Sequence, residues 1–97
     1  MKKLHTDEMD KLFEAILSLE DIDECYSFFQ DLCTIKELKD MASRLKVAKL
    51  LDSGNSYKSI EEETGVSQAT ISRVKKSLEY GYEGYDLVIK REKEREN

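Results

Sequence analysis

The sequence predicts an all-α protein of about six helices. Three observations carry this. Apolar residues recur at i, i+3, i+4 and i+7 in segment after segment. No proline interrupts the 97 residues. Hydroxyl and carboxylate residues stand where such segments begin, and glycine stands where several end.

The first segment puts Met9, Leu12, Phe13, Ile16 and Leu17 on one stripe. Thr6 is its N-cap, and Asp7, Glu8 and Asp10 suit the positive end of the helix dipole. The second opens at Asp21, with Glu24 three residues on, and carries Ile22, Cys25, Tyr26, Phe28, Phe29, Leu32 and Cys33. The third starts on a capping box, Thr34-Ile35-Lys36-Glu37, in which hydroxyl and carboxylate each satisfy a free backbone N–H. Its stripe is Ile35, Leu38, Met41, Ala42, Leu45, Ala48 and Leu51, it runs for about 17 residues, and Gly54 is its left-handed cap. Ser56 caps a short fourth helix and Ser67 a fifth that runs to about Tyr80, where Gly81 ends it. A last helix resumes over residues 85–95, with Tyr85, Val88 and Ile89 expected to cap the dimer core. The alternating run from Lys90 to Glu96 is expected as a solvated, frayed end, and the tyrosines 80, 82 and 85 as packing.

A chain this short buries only about 60–65% of its unfolded surface and gains from a second copy. The continuous apolar faces of the first three helices suit core packing and point to that partner subunit. The reading is a single domain, 1–97, with a helical dimerisation core at 6–51, a helix-turn-helix at 56–80 and the C-terminal helix at 85–95. No apolar run exceeds three residues, against the roughly 20 of a membrane span, so no membrane partner is expected. Met1-Lys2-Lys3 is followed by no apolar export core, which predicts a cytoplasmic protein. Cys25 and Cys33 fit no metal-ligand spacing and are expected as reduced, buried thiols, with no metal site. The lone histidine, His5, lies near a terminus; with no nucleophile–base set and no phosphate loop, no enzyme is expected.

The formal charge of −5 hides a split. Residues 34–76 hold nine basic and six acidic residues, a balance of +3, whereas the rest of the chain stands at −8. A phosphate-facing surface needs local positive charge, and this segment supplies it. Within it, a short helix, the turn Gly65-Val66-Ser67 and a second helix make a helix-turn-helix. Ile60, Thr64, Val66, Ile71, Val74 and Leu78 should point inward. Gln68, Ala69, Thr70, Ser72, Arg73, Lys75 and Lys76 then face outward, with Arg44 and Lys58 as further basic contacts. Glutamine can pair with an adenine edge, Ala69 and the Thr70 methyl can touch a thymine methyl, and the basic and hydroxyl side chains can hold phosphates. Glu61 stands where such motifs commonly carry a small residue. Glu61-Glu62-Glu63 are expected on a rim away from the nucleic acid, because they would repel its phosphates. The alternative is a helix-turn-helix shape that docks a protein and reads no DNA, favoured by the overall acidity and those three glutamates.

Asp31-Leu32-Cys33-Thr34, the Arg44-bearing third helix, the Gly54 cap and Ala69-Thr70-Ile71-Ser72-Arg73 together resemble the Trp repressor superfamily, and more closely its TrpR-related YerC/YecD branch. The resemblance covers about residues 31–78, roughly half the chain. It implies an intertwined homodimer that binds a pseudo-palindromic site on double-stranded DNA as a transcription regulator, most simply a repressor that occludes a promoter. Thr34, Arg44, Arg73 and Ser77 match, residue by residue, the positions that hold tryptophan in the repressor, and so mark an effector pocket. The family pattern has glycine after the second arginine; here it is Val74. An isopropyl group in a packed slot costs a ligand heavily, so no cofactor is expected and tryptophan is disfavoured as effector.

Overall fold

The computed structural model describes residues 4–96, which form six α-helices and no strand: α1 (Asp7–Leu17), α2 (Ile22–Leu32), α3 (Ile35–Asp52), α4 (Tyr57–Thr64), α5 (Gln68–Tyr80) and α6 (Gly84–Glu96). Local chemistry sets the boundaries. The side chains of Thr6, Asp21, Ser56 and Ser67 each accept a hydrogen bond from the backbone N–H three residues on. At α3 the capping box is complete: Glu37 N–H donates to Thr34 Oγ1 at 3.1 Å and Thr34 N–H donates to Glu37 Oε1 at 2.8 Å. Those bonds to Thr34, the backbone one first, hold the Glu37 carboxyl below its ordinary range. Gly54, at φ +89°, takes the left-handed conformation expected of it.

The chain divides into two compact units, residues 1–38 and 39–97. In the first, neither α1 nor α2 has a buried residue. Phe28 and Phe29 meet edge to face at 5.6 Å, yet Leu17 is 82% exposed, Ile22 74%, and Phe13, Tyr26, Leu32 and Ile35 are exposed too. The apolar stripes exist as the spacing predicts, but one chain alone does not bury them. Cys25 is correspondingly exposed and Cys33 half-buried, both free thiols, which corrects the expectation of buried ones.

In the second unit Val47 and Ala48 of α3, Ile60 of α4, Ile71 and Val74 of α5 and Ile89 of α6 are buried together. Leu50, Leu51, Tyr57, Val66, Leu78 and Tyr85 pack around them. Each fully buried aliphatic side chain contributes on the order of 1.5–3 kcal/mol. Val47 corrects the stripe read from sequence. Adjacent helical residues point about 100° apart, so burying both Val47 and Ala48 means α3 is covered over a wide arc there. Met41 and Ala42, which the stripe includes, are exposed.

The C-terminal run also departs from expectation. It is helical to Glu96 and tied to α3, with Lys49 Nζ 2.7 Å from Glu92 Oε2 and Lys93 Nζ 2.9 Å from Asp52 Oδ2. Of the three tyrosines, only Tyr85 packs; Tyr80 and Tyr82 are about four-fifths exposed.

Candidate nucleic-acid interface

The interface is built outward from the turn between α4 and α5. Gly65 sits at φ +74°, a conformation that side chains with Cβ resist, and its N–H closes α4 onto the Glu61 carbonyl at 2.8 Å. Thr64 Oγ1 donates to the Ile60 carbonyl at 2.7 Å and accepts from Val66 N–H at 3.1 Å. Two backbone groups at the end of α4 are thus satisfied by one hydroxyl. Ser67 then caps α5, accepting from Thr70 N–H at 3.3 Å. Ile60, Ile71 and Val74 lock the two helices together from beneath, with Val66 and Leu78 packed against them, and Thr64 is half-buried as an inward position should be. α5 ends at Gly81, where the backbone leaves no room for a side chain: a Cβ there would overlap the Ser77 carbonyl.

This leaves Gln68, Ala69, Ser72, Arg73, Lys75 and Lys76 exposed along α5, with Arg44 exposed on α3 and Lys58 on α4. Among the described residues, no carboxylate oxygen lies within 4.0 Å of Arg44, Lys58, Arg73 or Lys76. Lys75 differs, pairing with Glu79 one turn on at 3.6 Å. Thr70 is half-buried, and its Oγ1 accepts from the Ser67 hydroxyl at 3.3 Å, so it is less open than its neighbours.

Two of the three α4 glutamates meet polar partners on other helices. Glu63 pairs with Lys46 at 3.7 Å, and Glu61 Oε1 accepts from Gln68 Nε2 at 3.1 Å. Glu61 and Gln68 lie seven positions apart on different helices, so this bond depends on the angle between the two and no local spacing reveals it.

Arg44, Thr70, Arg73, Val74, Ser77 and Tyr85 line a cleft of about 370 Å³. Three of the four matched effector positions therefore come together, and Val74, only 3% exposed, is packed into the core below them. Thr34 belongs to the other unit, where its hydroxyl and N–H serve the α3 cap. Tyr85, from α6, completes the cleft and was not signalled by any motif. The described residues contain no cluster of His, Cys, Asp and Glu able to hold a metal ion, and no helix long and apolar enough to cross a membrane.

Comparison with known proteins covers nearly the whole chain. The family model for Trp repressor protein matches residues 7–93. YerC of Bacillus subtilis, an uncharacterized protein, is 55% identical over 94 residues, which span 97% of this chain and 90% of YerC. The crystal structure of a TrpR-like protein from Eubacterium eligens is similar at 52% identity and a TM-score of 0.91, over 94% of each chain. A structure from Staphylococcus aureus is similar at 48% identity and a TM-score of 0.92, over 95% of this chain and 92% of that one.

Proposed function

Because the chain belongs to the Trp repressor family, whose members are DNA-binding regulators and not enzymes, we propose that it is a sequence-specific transcriptional regulator that binds a pseudo-palindromic operator as a homodimer and represses by occluding a promoter. The observation that carries this is the set of basic side chains around α5 with no acidic partner among the described residues: Arg44, Lys58, Arg73 and Lys76. Holding four such cations on adjoining helices costs mutual repulsion, and DNA phosphates offset it with release of their counterions. The polar N-terminal part of α5, beginning at Gln68, supplies the base-edge contacts, while Arg44, Lys58, Arg73 and Lys76 hold the backbone; Lys75 lies beside them with its charge already offset by Glu79.

The second copy covers the apolar surface that α1, α2 and the start of α3 leave exposed, Leu17, Ile22 and Ile35 foremost. Pairing sets two reading helices about 34–36 Å apart, one turn of DNA. With Val74 packed beneath the cleft, Arg44 and Arg73 serve as phosphate ligands, and the reading head needs no tryptophan. The protein acts on DNA in the cytoplasm.

Capture of genomic fragments by the purified protein, followed by binding of the enriched duplex at two salt concentrations, tests the reading. Selective, salt-weakened retention is the expected result. A protein that retains no duplex, or whose retention ignores salt, refutes it.

A further inference from the structure

The Glu61–Gln68 bond fixes more than a side-chain position. A primary amide carries one acceptor and two N–H donors, and a carboxylate can only accept. The contact at 3.1 Å must therefore run from Gln68 Nε2 to Glu61 Oε1, which settles the sense in which the amide is turned. One N–H is consumed. Oε1 and the second N–H remain, one acceptor and one donor on the same planar group. Adenine offers the complementary pair in the major groove, a donor at N6 and an acceptor at N7, whereas guanine offers two acceptors, O6 and N7. Gln68 is the first residue of α5, and the first residues of a recognition helix are those that meet base edges. Gln68 and Glu61 are both exposed, so no packing from the core fixes this rotamer; the carboxylate does.

We propose that Glu61 is a positioning residue for base recognition, holding the Gln68 amide in the orientation that selects adenine at one base pair of each half-site. This rests on the DNA-reading function proposed above and names the base that function selects. It also gives a role to an acidic residue that would otherwise only repel phosphate.

The test is selection from a pool of randomised duplexes by wild type, Gln68→Ala, Glu61→Ala, Glu61→Gln and the Gln68→Ala/Glu61→Ala double variant. Wild type should favour adenine at one position per half-site by roughly 5- to 150-fold, the range of a good bidentate contact. Gln68→Ala should erase that preference. Glu61→Ala should weaken it at the same position and at no other, and the double variant should match Gln68→Ala alone. Glu61→Gln should admit guanine beside adenine there. An amide partner can donate as well as accept, so the Gln68 amide can then turn both N–H groups outward. Should Glu61→Ala instead raise affinity for all duplexes alike and leave the adenine preference intact, Glu61 acts by charge only and the proposal is overturned. A wild type that selects sequences while Gln68→Ala changes no position also overturns it, yet leaves the regulator reading standing. A wild type that selects nothing removes both.

Discussion

Arg73→Ala tests the electrostatic footprint most directly, because Arg73 lies mid-way along the exposed face of α5 with no carboxylate nearby among the described residues. The four cations of each reading head that have no carboxylate partner among the described residues make about eight in a dimer. Each neutralised phosphate contributes about −0.9 to the slope of log K against log salt, giving a slope of about −7. Raising monovalent salt from about 50 to about 200 mM should then weaken wild-type binding on the order of 10⁴-fold. Arg73→Ala removes two of these contacts, so its slope should fall to about −5 and its loss over the same interval to about 10³-fold. Fluorescence anisotropy with a labelled operator and a scrambled duplex measures both. The variant's slope should change equally on the two, since phosphate contacts position the protein without reading sequence. A variant slope equal to that of wild type would refute the placement of Arg73 at the backbone, and a wild-type slope near zero would refute the footprint altogether.

Ile71→Ala empties a fully buried site between α4 and α5, and urea unfolding should show a loss of about 2–5 kcal/mol; a loss under about 1 kcal/mol would mean the site collapses or is not packed as described. Leu17→Glu puts a charge on the most exposed apolar side chain of α1, and sedimentation should show monomer where wild type is dimeric; an unchanged dimer would take that face out of the subunit contact. Glu37, whose carboxyl is held below its ordinary value of 4.5 by the Thr34 backbone N–H and then the Thr34 side chain, contributes stability that is present above that value and lost as pH falls through the lowered one. Glu37→Gln keeps an acceptor for the cap but removes the titration, so its thermal midpoint should fall less than that of wild type on acidification; parallel curves would contradict the assignment.

The features legible in the sequence are those whose physics is local. A cap links residues three apart, so Thr6, Asp21, Thr34 with Glu37, Ser56 and Ser67 could each be read in place, and each caps as read. The inward set of the helix-turn-helix was legible for a related reason, because Gly65 fixes the angle and spacing then dictates which side chains meet. What escaped depends on elements distant in the chain. Lys49 and Glu92 lie 43 residues apart, and nothing in an alternating charge run announces which helix it will lie against. Val47 falls beside the stripe and is buried because other helices of its unit wrap that part of α3. Burial of Cys25 is the expectation when neither an export signal nor a metal-ligand spacing gives its thiol another role, but neither fact says whether its helix is covered, and that helix keeps an apolar face open.

Among the described residues, the six buried aliphatic side chains run from Val47 to Ile89, so amide exchange should be slowest there and fast throughout residues 4–38 in an isolated copy. With the proposed pairing, ordering of the amino-terminal third and association become a single concentration-dependent event. Cellular abundance would then govern more than how many operators are filled. It would also govern what share of the chains is shaped to fill one, making occupancy rise more steeply than in proportion to gene dosage.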